Sequence, residues 1–325
     1  MSVAAVLLAY AACAGTLGSR MLGRARWTAR APLLAIITYL TAVWSVVAAL
    51  GLAGLTLAVH ATALGGGLSH LIGACVLRLR AEYATPGGAT VAGLGLILAG
   101  AVLARTAVTA TTHLRATGRQ ASRHAQTARL VGHREPALGA VLVEHPEPAA
   151  YCVAGRHPTV VLTTGALQAL DPCQLDAVLA HERAHLAGHH HRLLAMARIA
   201  RQVLPFMPLM RDADAQVTRL VELHADDAAT RSHDPGLLAT ALVILATAAS
   251  PAPALATAAG PAPALAAAAT DAVQRIHRLL GPAKPLGPVR RQLLRATAAM
   301  IALTPLLLAL TPAVVALALG RVPAA

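Results

Sequence analysis

Strongly apolar, uncharged stretches alternate with arginine-rich ones along the chain, and four of them approach the ~20 residues that a helix needs to cross a membrane. These stretches are residues 2–19, 33–59, 87–104 and 296–320. They predict four transmembrane helices in a mainly α-helical membrane protein, the last one kinked at Pro305 and Pro312. Residues 61–77 are also apolar, but their triple glycine and His70 favour a re-entrant or interfacial segment over a fifth span.

Polar residues concentrate between the third and fourth of these stretches. Residues 105–295 hold all but one of the 14 Asp and Glu residues. Within this region, residues 137–143 and 150–166 have the composition of short strands, and turn residues at 155–158 predict that the second stretch folds into a hairpin. A small sheet is therefore expected ahead of the helices that follow.

Helical spacing follows the predicted sheet. Asp171 is placed to cap a helix that has Pro172 at its first position, and a further helix is expected from about Asp212 to Thr230. Residues 250–270 contain PAPALA twice and are interpreted as an Ala/Pro-rich linker or flexible flap. The sequence thus predicts a three-helix membrane region at 1–112, an α+β domain at 113–292 and a C-terminal transmembrane helix at 293–325.

Arginine placement predicts the orientation of these helices. The chain carries 27 Lys and Arg against 14 Asp and Glu, a formal net charge of +13. The strongest basic clusters, at residues 20–30, 105–129 and 284–295, fall on one side of a four-span arrangement. Because short basic loops stay in the cytoplasm, we expect a multi-pass protein of the cell membrane with residues 105–295 in the cytoplasm and its excess charge facing anionic lipid.

Composition argues against several functions. Aromatic residues make up 2% of the chain, too few for the stacking platforms of single-strand binders, so we expect no direct nucleic-acid binding. The middle of each predicted span lacks the charged residue that an ion pathway usually shows. The four cysteines have no C-x-x-C spacing, and Cys152 and Cys173 are interpreted as small buried side chains in preference to nucleophiles.

The sequence HERAH at residues 181–185 carries the clearest chemistry. His181 and His185 are four residues apart, so on a helix their imidazoles project from one face and can bind one cation. Glu182 lies at the edge of that face, where a carboxylate can take a proton from water activated by the metal. Such a site requires a third protein ligand.

Candidates for that ligand lie in the sequence ELHADDAA at residues 222–229. Glu222 and Asp226 share a helical face, whereas His224 points away from it. We favour Glu222 as the ligand of one Zn²⁺ per chain, with Asp226 orienting a ligating imidazole through its free N–H. His224 is the alternative ligand, since imidazole also binds zinc well.

These motifs, with AYCVAG and VLTTGAL before them and QRIHRLL after them, resemble the zinc metallopeptidases of the BlaR/MecR membrane-sensor class, family M56, and their HtpX and CAAX-prenyl-endoprotease relatives of family M48. The resemblance covers about residues 135–235. It implies a gluzincin fold and a cytoplasmic-side endopeptidase in which His181, His185 and Glu222 hold zinc, Glu182 activates water and Asp226 supports a ligand.

The resemblance also implies that the strand before the zinc helix, near Val160–Thr164, receives the substrate as an added β-strand. BlaR/MecR sensors carry a large extracytoplasmic penicillin-binding domain, and this sequence ends at Ala325 shortly after its last span. We therefore expect no direct β-lactam sensing.

Further histidines follow the HERAH motif. His189, His190 and His191 could form a second metal site or a zinc-delivery patch, but a solvated or headgroup-facing helix end that complements the helix dipole is favoured. His277 could stabilise an oxyanion, but a partly buried ordinary histidine is favoured.

Together these features predict an integral membrane zinc endopeptidase that cuts a protein substrate at the cytoplasmic membrane face in regulatory proteolysis. A transcriptional repressor is a candidate substrate, and the lipid membrane is the other expected partner. An HtpX-like quality-control protease is one alternative. The other is a non-catalytic, zinc-stabilised sensor or scaffold, which would not need the intact Glu182.

Overall fold

A computed structural model describes residues 3–58, 88–155, 158–248, 262–282 and 285–318 of the chain. The predicted re-entrant segment at 61–77 lies outside these residues, as does the first half of the predicted linker. The described residues are mostly helical, with one small mixed sheet.

Among the described residues, four helices are long and apolar enough to cross a membrane, as the hydrophobic pattern predicts. They are α1 (Val3–Gly23), α2 (Pro32–Ala58), α3 (Gly88–Val131) and α10 (Pro288–Ala318). Helix α3 has 44 residues and continues well past the predicted span, because only its first half is apolar. Helix α10 runs through Pro305 and Pro312 as one element.

The sheet contains four strands in the order β1-β2-β4-β3. They are β1 (His133–Glu135), β2 (Ala140–Val143), β3 (Ala150–Val153) and β4 (Thr159–Thr163). Strands β3 and β4 form the predicted hairpin, and β4 also pairs in parallel with β2. Strand β4 is therefore internal, and β3 is an edge strand.

Six helices complete the described part of the domain. They are α4 (Thr164–Ala169), α5 (Pro172–Ala187), α6 (His190–Val203), α7 (Pro208–Ala229), α8 (Pro235–Ala248) and α9 (Ala262–Leu280). Helix α9 begins inside the predicted 250–270 linker, so the linker prediction was wrong from Ala262 onward. The alanine content explains this, because alanine has the highest helix propensity.

The largest hydrophobic core of the described residues joins the apolar helices to the α+β domain. Tyr39 and Val43 of α2 are buried in the same cluster as Leu209 and Leu220 of α7. At the other end of this region, Arg105 of α3 donates hydrogen bonds to the last carbonyl groups of α6, at 2.7 and 2.8 Å. Helix α7 therefore packs against the apolar helices through residues 209–223, and α6 is joined to them by Arg105.

Candidate metal centre

Helix α5 places the two histidines of the HERAH motif on one face. It begins with the predicted Asp171 cap, where Asp171 and Gln174 form a reciprocal capping box, and Pro172 occupies the first turn. The Nε2 atoms of His181 and His185 lie 3.1 Å apart. His181 is buried and His185 is half-buried.

Helix α7 brings Glu222 to the same point. Glu222 Oε2 lies 3.6 Å from His181 Nε2, and Oε1 lies 3.6 Å from His185 Nε2. Ligand-capable atoms of the three residues all lie within 4.8 Å of one another. A tetrahedral zinc ion with bonds of ~2.1 Å needs ligand atoms about 3.4 Å apart, and two imidazoles with one carboxylate are a ligand set of catalytic zinc sites. The residues present therefore fit zinc.

The charges of these groups are consistent with a cation site. Burial lowers the pKa of His185 to about 4, which leaves its imidazole neutral and able to act as a ligand. Burial alone would raise the pKa of Glu222, but His181 and Arg275 hold it below its ordinary value. Burial likewise disfavours charge on His181, yet Asp226 and Glu222 raise its pKa to about 9. A cation must therefore displace a proton from His181.

Asp226 lies behind His181, where the sequence places it. Its Oδ1 is 3.1 Å from Nδ1 of His181, so when a cation displaces the Nε2 proton, Nδ1 keeps its proton beside this carboxylate and Nε2 acts as the ligand. Burial would raise the pKa of Asp226, but His181 and Arg275 lower it to about 2. The carboxylate is thus ionised at neutral pH.

Arg275 is a site residue that sequence reasoning missed. It comes from α9, and its Nη1 lies 3.0 Å from Glu222 Oε2 while Nη2 lies 2.7 Å from Asp226 Oδ1. One guanidinium therefore contacts both acidic residues of the centre. The only signal in the sequence was the QRIHRLL stretch, noted above solely for its resemblance.

His190 bears on the prediction for the histidines after the HERAH motif and on His224 as the alternative ligand. It is 1% exposed, so the expectation of a solvated or headgroup-facing histidine is wrong at this position. Its Nδ1 lies 2.8 Å from His185 Nδ1, and its Nε2 lies 2.8 Å from His224 Nδ1. His224 therefore lies at the far end of a histidine chain and is outside the group of converging ligand atoms.

These contacts between His185, His190 and His224 determine which ring nitrogen of each histidine carries the proton. If His185 uses Nε2 for a cation, its Nδ1 carries the proton and donates to Nδ1 of His190. His190 must then carry its own proton on Nε2, which donates to His224. The turn before α6 makes this arrangement possible: His189 adopts the left-handed conformation at φ 49°, and a Cβ on Gly188 would lie 2.6 Å from His190 Nε2.

Glu182 faces the edge strand from α5. The neighbouring Cys152, through its thiol and its backbone N–H, favours the charged form of the carboxylate and acts to lower the pKa of Glu182. Burial raises the pKa of Glu182, and the neighbouring Glu222 raises it further. A carboxylate with a raised pKa is a stronger base than an ordinary one, and a pKa closer to the working pH lets one group both accept and donate a proton.

A cavity of about 390 Å³ adjoins the centre. His185 and His190 line one side, Tyr151 and Cys152 of β3 line another, and α3 contributes residues that include Ala121. Because β4 is paired on both sides, the prediction that Val160–Thr164 receives the substrate is wrong. Strand β3, the edge strand beside this cavity, is the one that can pair with an added strand.

Other predicted side-chain environments also differ. His277 is exposed on α9 and lines a separate cavity, which contradicts the expectation of partial burial. Cys173 is exposed on the first turn of α5, and Cys152 is half-buried. His189 and His191 are exposed, as expected for a solvated helix end.

Comparison with known proteins gives a single kind of match. The family model for peptidase family M48 matches residues 113–282, which include every residue of the centre described above. No curated protein and no solved structure matches the chain.

Proposed function

The chain belongs to peptidase family M48, and from that premise we propose that it is an integral membrane zinc endopeptidase that cuts a protein substrate at the cytoplasmic membrane face. M48 members are zinc metallopeptidases, and four apolar helices suggest association with a membrane. The observation that carries the proposal is the convergence of His181, His185 and Glu222, with Glu182 one residue along the same helix.

We assign His181, His185 and Glu222 as the residues that hold the zinc ion. When bound, zinc supplies Lewis-acid chemistry, which polarises the scissile carbonyl and lowers the pKa of water toward neutrality. Asp226 and His190 orient the two imidazoles by holding their Nδ1 protons. Arg275 keeps both acidic residues ionised and in place.

Glu182 acts as the general base and then the general acid. It takes a proton from the water that attacks the peptide carbonyl and donates it to the leaving amine. Its raised pKa suits both transfers. The substrate binds in extended form along β3, with one side chain in the adjoining cavity.

The cytoplasmic placement rests on the distribution of arginines. Arg105 and the basic residues after it lie on the part of α3 that extends past its apolar half. The cleavage site would then lie near the inner membrane surface. Labelling of single cysteines introduced at exposed positions of α3, from either side of sealed vesicles, tests this orientation.

The biological role has two candidates. Regulatory proteolysis, with a transcriptional repressor as substrate, is the reading drawn from the BlaR/MecR class. The match to M48, the family of the HtpX relatives, favours quality control of membrane proteins. A comparison of proteomes with wild type and Glu182→Gln distinguishes one cleaved regulator from many cleaved membrane proteins.

The experiment that tests the proposed activity uses the full chain in detergent. We expect Glu182→Gln to keep bound zinc and to lose hydrolysis of an unfolded model protein by a factor of at least about 100. Undiminished hydrolysis by this variant would remove Glu182 from the mechanism. A zinc-loaded wild type that cuts no protein would instead favour the non-catalytic sensor.

A further inference from the structure

A second cavity, of about 590 Å³, lies at the ends of several apolar helices, apart from the candidate metal centre. The loop between α1 and α2 forms one wall, and the end of α7 with the start of α8 forms another. The end of α9 and Pro285, which precedes α10, close the remaining side. Three apolar helices thus start or stop beside this cavity.

The cavity has an excess of positive charge. Arg26, Arg30 and Arg278 line it, and Asp227 is the one carboxylate among its described lining residues. Asp227 already pairs with Arg278, its Oδ1 lying 2.5 Å from Nη2. Among the ion pairs of the described residues, none involves Arg26 or Arg30. Two guanidinium groups are therefore available to an anion.

The position of Arg278 is fixed from two directions. Besides its pair with Asp227, its Nε donates a hydrogen bond to the carbonyl of Ala29 at 3.1 Å. That contact ties α9 to the loop that carries Arg26 and Arg30. The cluster is thus assembled by tertiary contacts between α9 and the α1–α2 loop.

Guanidinium groups recognise phosphate through paired N–H donors, and an anionic headgroup lies where apolar helices leave the membrane. We propose that this cavity binds a phosphate group carried by the headgroup of an anionic membrane phospholipid. The occupant would contact α7 and α9, the helices that carry Asp226 and Arg275. The proposal does not depend on peptide hydrolysis.

The test measures binding of short-chain phosphatidic acid to the full chain in neutral detergent. We expect the double variant Arg26→Gln/Arg30→Gln to weaken binding about tenfold or more, because both free guanidinium groups are lost. The matched control is Arg20→Gln/Arg24→Gln, which removes the same charge from two exposed residues at the end of α1 that do not line the cavity. The control is expected to weaken binding less than about threefold, because only general surface attraction changes.

Inorganic phosphate distinguishes the two sources of the ligand. If the protein binds inorganic phosphate much more weakly than phosphatidic acid, the ligand is a lipid headgroup. If it binds the two with equal affinity, the lipid proposal is overturned in favour of a soluble phosphate ligand. Equal weakening by both double variants, or no binding at all, would overturn the site itself. Thermal unfolding of each variant checks that it is folded, and repeating the measurement with Glu182→Gln keeps this result separate from any failure of the peptidase assay.

Discussion

The guanidinium of Arg275 donates two hydrogen bonds to the carboxylate of Asp226, from Nε at 2.9 Å and from Nη2 at 2.7 Å. The Asp226 side chain is 1% exposed and that of Arg275 is 14% exposed, so the pair is almost fully removed from water. Asp226 in turn faces His181. Because a two-pronged pair fixes the plane of the carboxylate, we infer that α9 orients a candidate metal ligand through Asp226.

Replacement of Arg275 by lysine tests this role. An ammonium group cannot make both hydrogen bonds to Asp226 and also reach Glu222, so we expect Arg275→Lys to weaken zinc binding about 10- to 100-fold in competition with a chelator. The control is Arg219→Lys, because Arg219 lies 3.9 Å from Asp271 in a partly exposed pair. Zinc affinity equal to wild type in Arg275→Lys would contradict the inference.

The contact between His190 and His185 predicts that substitutions at the neighbouring residues His190 and His191 have different effects on zinc affinity. His190 holds the Nδ1 proton of His185, whereas the exposed His191 has no ring contact with a candidate ligand. We expect His190→Ala to weaken zinc binding by about tenfold or more and His191→Ala to change it less than about twofold. Equal effects of the two substitutions would mean that His190 does not position His185.

If the cavity beside β3 holds a substrate side chain, filling it should weaken substrate binding without affecting zinc binding. Ala121 lines it from α3, so Ala121→Trp should fill the space and raise KM about tenfold without loss of zinc. Ala116→Trp is the control, since Ala116 is exposed on the same helix and does not line the cavity. An unchanged KM in Ala121→Trp would show that substrate side chains bind elsewhere.

Cys152 is expected to be unreactive despite its position beside Glu182. Burial raises the pKa of its thiol to about 12, so at pH 8 only about one molecule in 10⁴ carries the thiolate. Alkylation by iodoacetamide should therefore modify the exposed Cys173 before Cys152, and labelling of Cys152 should rise about tenfold for each unit of pH between 7 and 9. Fast labelling of Cys152 with loss of hydrolysis would support a cysteine nucleophile instead.

The sequence predicted the features that depend only on residues near one another in the chain. The apolar stretches, the Asp171 cap and the shared helical face of Glu222 and Asp226 all follow from residues close together in the chain. Arg275 could not be predicted, because it meets Asp226 across 49 residues that include the PAPALA segment.

Two other features depend on non-local geometry. The contact of His190 with His185 follows from the left-handed conformation of His189, which ends the helical periodicity of α5 and redirects the chain. The place of β3 at the sheet edge depends on the parallel pairing of β2 with β4, which hydrophobic patterns do not encode. The expectation of a solvated His190 extended the helical pattern of α5 past such a point, whereas the expectation of a substrate strand at Val160–Thr164 came from the family resemblance.

The most direct test of the proposed metal centre is the zinc content of the full chain, purified under zinc-replete conditions and compared with that of His185→Ala. We expect about one zinc ion per wild-type chain, and we expect His185→Ala to lose nearly all of its zinc on dialysis, because two remaining ligands bind zinc weakly. A wild type without zinc, or a His185→Ala protein that retains the wild-type content, would contradict it.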